Sequence, residues 1–262
     1  MLRLRIVQEF QRDRVAVRLV DSTRRIVPEV ERQIDEAWHR TLARPGVNLF
    51  DGPVCRFESA VIDGDTLRFD VSRTSYRICV GTNFVNPHLA DEFGPDVMAQ
   101  SMGVSTGLLT ADGFWMMGRR NASVAYYPGR VHPFAGSIEM AEHIDLFDNA
   151  ERELREELHL PAEAIVGTTW AGLVEDTRLR HPESIFFART TRSRDEVAAG
   201  VDAAEHDGVW SVANQPDAVA EAMQSDELTP VARAVLLLGG RHFFGDDWSH
   251  GQAARIGVTW PA

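Results

Sequence analysis

Residues 152–158 read Arg-Glu-Leu-Arg-Glu-Glu-Leu, and this run decides the fold that the sequence predicts. It lies in a predicted amphipathic helix, Leu146 to Leu160, which Pro161 ends. The run carries three carboxylates at spacings i, i+3 and i+4, namely Glu153, Glu156 and Glu157. Because each helical residue turns the chain by about 100 degrees, these three carboxylates share one face of the helix.

Carboxylates clustered on one helix face repel one another, by a few tenths of a kcal/mol per pair when exposed (roughly 0.2–0.5). A divalent cation with a preference for oxygen ligands would convert this repulsion into binding, and magnesium keeps positions open for water and substrate phosphate. The alternative is a solvated acidic face on an ordinary helix. For the three glutamates alone, that alternative is favoured.

The residues before the helix favour the metal site. Gly136 and Glu142 stand at the spacing Gly-x5-Glu. Together with residues 152–158 they resemble the box of the Nudix hydrolases, which runs Gly-x5-Glu-x7-Arg-Glu-apolar-x-Glu-Glu-x-Gly-apolar. Nine residues rather than seven separate Glu142 from the arginine, which shifts Glu142 relative to the helix. His159 replaces the last glycine, and histidine adopts a left-handed helix cap at modest cost.

The resemblance implies an α/β (α+β) fold, a Nudix α/β/α sandwich with a mixed sheet, preceded by a small α+β N-terminal domain. It also implies a pyrophosphohydrolase with Mg²⁺ as cofactor and Mn²⁺ as its substitute. The implied metal ligands are Glu153, Glu156, Glu157 and the backbone carbonyl of Ala135. Arg152 is implied to orient a box glutamate through an ion pair. A further catalytic acid from a later loop is implied to be Glu205, with Asp207 second; the alternative is a plain loop carboxylate.

Short motifs outside the box resemble the Nudix hydrolases that have an N-terminal domain and act on UDP-glucose and UDP-galactose. In chain order they are Phe50-Asp51-Gly52, Thr74-Ser75-Tyr76-Arg77, Gly81-Thr82-Asn83, Gly103-Val104, Leu109-Thr110-Ala111-Asp112 and Arg119-Arg120. This resemblance implies cleavage of a UDP-hexose to UMP and hexose 1-phosphate. The implied substrate-binding residues are Tyr76, Arg77, Asn83, Arg119 and Arg120. Each has an alternative, since Tyr76 also suits a core position and the two adjacent arginines suit the solvated end of a strand.

Two other functions stay open. One is a Nudix hydrolase of another nucleoside diphosphate conjugate, such as ADP-ribose, NADH or a dinucleotide. The metal site does not distinguish these substrates, because it binds only the diphosphate that they share. The other is a non-catalytic Nudix-like ligand-binding module. A module that had lost catalysis is expected to lose box glutamates, and this chain keeps all of them.

The pattern of elements predicts an N-terminal domain over 1–100, a Nudix hydrolase domain over 101–240, and a tail over 241–262 to which it assigns no structure. The predicted N-terminal elements are strands at Leu2–Val7 and Arg14–Val20, a helix from Pro28, a hairpin across Asp63-Gly64, a buried strand at Tyr76–Val80 and a short helix near Leu89–Met102. The predicted later elements are a hairpin across Asp112-Gly113, strands at Ala164–Val174, Ser184–Ala188 and Gly208–Val212, and a helix at Pro230–Leu238.

Composition excludes several other functions. A net charge of -12 argues against non-specific nucleic-acid binding. The chain contains no lysine, which excludes the P-loop lysine and Schiff-base chemistry. Cys55 and Cys79 are expected to be free thiols, and His181 is expected at the surface. No leader or membrane-spanning segment is predicted, which favours the cytoplasm, and the oligomeric state stays open.

Overall fold

A twisted mixed sheet of eight strands organises the chain. The structure, a computed structural model, describes residues 1–47 and 49–261. Six strands follow the order β1-β9-β10-β5-β6-β11, with β7 beside β6 and β8 beside β5. They are β1 Leu2–Ile6, β5 Gly103–Leu109, β6 Phe114–Arg120, β7 Val131–His132, β8 Phe134–Ser137, β9 Ile165–Asp176, β10 His181–Thr190 and β11 His206–Ala213. Strands β10 and β5 run parallel and their neighbours pair antiparallel.

A second sheet of three strands comes from the first part of the chain, in the order β2-β4-β3. Its strands are β2 Val15–Leu19, β3 Pro53–Asp63 and β4 Thr66–Ser75. The helices are α1 Pro28–Leu42, α2 Tyr76–Cys79, α3 Leu89–Phe93, α4 Leu146–Leu158, α5 Arg194–Ala199, α6 Pro216–Ala222, α7 Pro230–Phe244 and α8 Asp246–Arg255. Two single bridges, from Val54 to Glu139 and from Arg56 to Ser101, join β3 to the larger sheet region.

The larger sheet is covered on both faces. Neighbouring residues of a strand point to opposite faces, so Leu108 packs in the cluster that includes Leu154 of α4, whereas Leu109 packs with α7. In the same way, Phe186 packs against Phe147 of α4, and the next residue of the strand, Phe187, packs with α7. The result is the predicted α/β/α sandwich with a mixed sheet, and this prediction is confirmed.

Helix α4 begins at Leu146 as predicted and ends at Leu158, two residues before the predicted end at Leu160. The carboxylate of Asp145 accepts hydrogen bonds from the backbone N–H groups of Phe147 and Asp148, which caps the first turn. At the other end His159 is left-handed, with φ of 50°, so it takes the place of the usual glycine. The caps therefore fix the helix that carries the three glutamates.

Two predicted elements are wrong. Residues 76–80 were expected as a buried strand, but α2 is a short helix that Ser75 caps through its side chain, and a wider helical turn, Val80–Phe84, continues it. A short apolar run does not distinguish a strand from a buried helix. The expected helix Leu89–Met102 stops at Phe93, because Gly94 has a φ of 97° and a 3₁₀ turn at Pro95–Val97 follows.

The three predicted domain ranges stay a prediction, and two features cross them. Strand β1 pairs with β9 in the larger sheet, although it lies in the range predicted as the N-terminal domain. Helix α7 runs past residue 240 to Phe244, and α8 then packs Trp248 against Gly240. Within residues 1–47 and 49–261, no helix is long and apolar enough to cross a membrane.

Candidate active site

Glu153 lies on α4 directly over the backbone of Gly136 in β8. A Cβ atom added to Gly136 would lie 1.9 Å from Oε1 of Glu153, so the missing side chain makes the space for this carboxylate. Glu153 is 9% exposed and lines a polar pocket of about 170 Å³. Burial, together with the charge of Glu157, raises the pKa of Glu153 to about 8, against the lowering effect of Arg152.

Glu157 is held one turn further along, and both of its oxygens have donors. The backbone N–H of Ala135 donates to Oε1 at 2.7 Å, and Nε2 of His206 contacts Oε2 at hydrogen-bond distance. The other ring nitrogen of His206 has no partner among the described residues, so the proton is assigned to Nε2. Burial lowers the pKa of His206 and raises the pKa of Glu157. His206 thus orients the Glu157 carboxylate.

Arg152 ties two box glutamates together. Its Nη2 donates to Oε1 of Glu153 at 2.8 Å and its Nη1 donates to Oε2 of Glu156 at 2.7 Å. Nη2 also lies 3.6 Å from Oε1 of Glu139. Glu142, shifted by the two extra residues, is exposed and forms no ion pair within the described part of the chain. Glu139, three residues earlier, contacts the arginine instead.

The later loop brings a further acid to the same place. Ligand atoms of Glu157, Glu205 and His206 all lie within 4.8 Å of one another. Glu205 is exposed at the pocket, and its backbone carbonyl accepts from the N–H of Asn121. Asp207 is exposed and is not part of this group. The order of the two sequence candidates, Glu205 before Asp207, therefore agrees with their placement.

These residues fit a divalent cation. The donors are carboxylate oxygens, which hard cations prefer, and each oxygen of Glu157 keeps a lone pair beyond its one hydrogen bond. The space left by the missing side chain of Gly136 lets Glu153 lie against β8, and Ala135 lines the same pocket. Glu156 is different, because its side chain is 58% exposed and is held by Arg152. The buried acids Glu153 and Glu157 therefore form the inner part of the candidate metal site.

Aromatic rings and one arginine also line the pocket. Arg120 is 7% exposed, and its Cζ lies 4.4 Å from the centre of the Tyr126 ring. Tyr126 stacks on Phe84 at 4.4 Å, and Phe84 meets Tyr76 edge to face. These rings hold a buried guanidinium at the pocket that Glu153 also lines, where it can donate hydrogen bonds to anionic oxygens.

A buried pair of residues, His181 and Glu183, also lines the pocket. Nδ1 of His181 lies 2.8 Å from Oε1 of Glu183, whose other oxygen accepts from the hydroxyl of Ser105 at 3.1 Å. Burial lowers the pKa of His181, but the neighbouring carboxylate raises it more, to about 10, which favours the charged form of the ring. The expectation that His181 lies at the surface is wrong, since it is 3% exposed. Strand β10 starts at His181, earlier than predicted, and carries it into the sheet.

The other predicted substrate-binding residues lie outside this pocket. Arg77 pairs with Asp35 and, at 3.4 Å, with Asp51. Asn83 is fully buried, and its amide donates to the carbonyls of residues 179 and 180 at 3.0 and 2.9 Å. Arg119 pairs with Glu227 at 3.3 Å. Of the five predicted residues, the pocket contains Tyr76 and Arg120.

Site residues that were missed from the sequence include Glu139, Glu183 and His206. The last two lie against a strand glycine. A Cβ on Gly103 would lie 2.3 Å from Oε2 of Glu183, and one on Gly118 would lie 2.3 Å from the His206 ring. A glycine inside a strand often marks the close approach of another group. Gly103, Gly118 and Gly136 were therefore a usable signal in the sequence, although it does not say which side chain fills each space.

The α/β/α sandwich, with Gly136 and Glu153 at one pocket and Arg152 bound to Glu153 and Glu156, resembles the architecture of the Nudix hydrolases. No family model matches the chain. Among curated proteins, it is 27% identical over 271 residues to "Uridine diphosphate glucose pyrophosphatase NUDT22" of Mus musculus, covering 89% of this chain and 87% of that protein. It is also 27% identical over 259 residues to the Homo sapiens protein of that name, covering 83% and 84%.

Solved structures resemble the chain more weakly. A MutT protein from Methanosarcina mazei Go1 aligns with a TM-score of 0.39 and 16% identity, over 55% of this chain and 94% of that one. An Ap4A hydrolase of C. elegans aligns with a TM-score of 0.37 and 14% identity, over 56% and 99%. Scores of this size carry no argument about function. The curated relatives confirm the predicted resemblance and the prediction of a Nudix pyrophosphohydrolase.

Proposed function

We propose that this chain is a magnesium-dependent hydrolase that cleaves the diphosphate of a UDP-hexose, UDP-glucose or UDP-galactose, into UMP and hexose 1-phosphate. One observation carries the proposal: α4 carries two buried acids, Glu153 at a pocket that Arg120 also lines, and Glu157 beside Glu205 of the same pocket. Buried acids and a buried guanidinium at one site suit a ligand that brings both a cation and phosphate oxygens. The names of the curated relatives support the choice of substrate.

The chain's own residues would each contribute a defined part. A divalent cation at the acidic group supplies charge neutralisation for the diphosphate and acidifies water when it is bound. Arg120 presents planar N–H donors to phosphate oxygens in a largely buried setting, where such hydrogen bonds are strong. Arg152 and His206 orient Glu153 and Glu157. Glu205, exposed at the pocket, is the acid best placed to take a proton from an attacking water.

A substrate panel tests the proposal. UDP-glucose, UDP-galactose, ADP-ribose and NADH are incubated with the protein and Mg²⁺, and the products are separated by chromatography. The expected result is UMP and hexose 1-phosphate at the highest kcat/KM. Preference for an adenine compound would reject the UDP-hexose assignment, and no turnover of any compound would reject catalysis. Mn²⁺ is expected to replace Mg²⁺ with partial activity.

A further inference from the structure

A second cavity shares two aromatic rings with the polar pocket, those of Phe84 and Tyr126. Its volume is about 720 Å³, which lies within the range of small-molecule binding sites. The rest of its wall includes the loop after β6, the turn between β9 and β10, and the residues at the start of α7. We call this cavity the arginine groove.

The arginine groove carries an excess of positive charge. Three arginines line it, Arg130, Arg178 and Arg233, and in the described part of the chain they face one acidic lining residue, Asp226. The side chain of Asp226 is fully exposed, so water and salt screen its charge. This balance is the reverse of the whole chain, which has 39 acidic and 27 basic residues. The groove is therefore a local site of attraction for anions on an acidic protein.

The guanidinium groups of the groove are only partly used within the protein. The side chain of Arg178 forms no ion pair and no hydrogen bond within residues 1–47 and 49–261, where only its backbone N–H donates. Arg130 donates through Nη1 to the carbonyl of residue 226. Arg233 donates through Nη2 to the carbonyl of Ser225 at 2.9 Å, and its buried Nε has no partner in the same ranges. Because a guanidinium has five N–H donors, each arginine keeps donors for a ligand.

Two of these arginines approach the same phenol, that of Tyr127, which also lines the groove. Burial and the carboxylate of Asp176 raise the pKa of Tyr127, and the charges of Arg178 and Arg130 oppose this rise. Asp176 itself is buried, and its oxygens accept from the phenol and from backbone N–H groups rather than from an arginine. Two guanidinium groups from separate segments therefore lie near one part of the groove wall.

The start of α7 adds to the same positive field. The cap residue Thr229 and the first helical residue Pro230 line the groove, and Arg233 follows one turn later. The N-terminus of a helix carries a partial positive charge and backbone N–H groups without helical partners, and both favour an anion. The helix terminus and the three arginines therefore act in the same direction.

The groove differs from the polar pocket in its lack of ligands for a cation. The polar pocket contains Glu153, Glu183 and Glu205, whereas Asp226 is the one acid that lines the groove in the described ranges. An anion in the groove is therefore bound by arginine and by the helix terminus, without a bridging metal ion. Phosphate oxygens suit this arrangement, because the planar guanidinium matches the geometry of a phosphate group.

We propose that the arginine groove is a second, non-catalytic binding site for a phosphate-bearing small molecule, which it binds without a divalent cation. Leu179, Leu228 and Pro87 also line the groove and offer apolar contacts to the carbon part of such a ligand. The proposal goes beyond the proposed hydrolase, whose reaction does not require this site.

A metal-free titration tests the proposal. Inorganic pyrophosphate is titrated by calorimetry into the protein in EDTA at low ionic strength, and the wild type is expected to show saturable binding to one site. Arg178→Ala and Arg233→Ala should each weaken the affinity by about tenfold, the scale of one charge-assisted hydrogen bond. Arg40→Ala is the matched control, because Arg40 is exposed on α1 and lies outside the groove. This control should keep the wild-type affinity.

The variant Arg120→Ala separates the groove from the polar pocket, because Arg120 lines only the latter of the two. It should keep the metal-free affinity for pyrophosphate. Loss of binding in Arg120→Ala, with wild-type affinity in Arg178→Ala and Arg233→Ala, would place the anion in the polar pocket and overturn the proposal. A wild-type protein that does not bind pyrophosphate in EDTA would overturn it too.

Thermal unfolding checks that each variant is folded. Arg178→Ala keeps the test decisive if Arg233→Ala does not fold, because the side chain of Arg178 has no hydrogen-bond partner among the described residues. Wild-type affinity in a folded Arg178→Ala protein would overturn the proposed site. Turnover is not measured, so the result does not depend on the proposed function.

Discussion

The site has two walls that are built in different ways. The box wall comes from one continuous stretch, β8 and α4, and holds Glu153 and Glu157. The other wall, which we call the assembled wall, comes from segments that are far apart in the sequence: β6, β10 and the loop before β11. It holds Arg120, His181, Glu183 and Glu205. In the box wall, function follows from helical spacing. In the assembled wall, function depends on which strands become neighbours in the sheet, so a residue's role is set by residues far away in the sequence.

The largest effect is expected in the box wall, from Glu157→Gln. The variant keeps the shape of the side chain but removes the charge that a cation requires, so kcat is expected to fall by about a hundredfold or more. Glu163→Gln, at an exposed position after α4, is the matched control and should keep wild-type turnover. Steady-state kinetics with circular dichroism as a check on folding measures both. A wild-type kcat in Glu157→Gln would show that the Glu157 carboxylate is not needed for catalysis.

A somewhat smaller loss is expected from Gly136→Ala. The new methyl group would lie on the Glu153 carboxylate, which must turn away, so kcat is expected to fall by about tenfold to a hundredfold. Gly251→Ala is the control, because its Cβ would enter open space on α8. That control should be stabilised by about 0.5–1 kcal/mol, since alanine favours a helix. An equal kcat for the two variants would contradict the view that the absence of a side chain at Gly136 makes the space for the Glu153 carboxylate.

Adjacent arginines test the assembled wall. Arg120→Ala removes the guanidinium that lines the polar pocket, and kcat/KM is expected to fall by about tenfold, the scale of one charge-assisted hydrogen bond. Arg119→Ala removes a side chain that pairs with Glu227 away from the pocket, so a smaller loss is expected. The measurement is kcat/KM for both variants on UDP-glucose. A greater loss for Arg119→Ala would show that the strand register of this wall is described wrongly.

The smallest effect is expected on stability rather than turnover, at His181. Its pKa of about 10 lies above the ordinary value of 6.5, so the folded protein holds the proton more tightly than the unfolded chain. This stabilisation is fully present below about pH 6.5 and is lost as pH rises through about 10. Glu183→Gln removes the carboxylate that raises the pKa. The melting temperature of this variant should be several degrees below the wild type at pH 6, and the difference should shrink towards pH 10.

Thermal unfolding followed across this pH range measures the effect, with Glu163→Gln as the variant that should track the wild type. A difference between Glu183→Gln and the wild type that grows with pH would show that His181 is neutral in the folded protein.

The same two walls show how far the sequence could be interpreted. Helix α4, its caps and the shared face of its glutamates follow from local rules, because helical spacing and capping act within a few residues. The role of His206 does not follow from local rules, since it needs β11 beside β6 and the space above Gly118. The exchange of Glu139 for Glu142 beside Arg152 depends on the path of a loop with two extra residues. The amide of Asn83 donates hydrogen bonds to carbonyls almost a hundred residues away in the sequence, and no short motif indicates this.

The central claim, that the buried acids of α4 bind a divalent cation, is tested most directly by titrating Mn²⁺ and following its electron paramagnetic resonance signal. The wild-type protein is expected to bind Mn²⁺, and Mg²⁺ should compete for the same site. Glu153→Gln and Glu157→Gln should each weaken this binding by about tenfold or more, whereas Glu163→Gln should not. Equal Mn²⁺ affinity in the wild type and in both box variants would contradict the account.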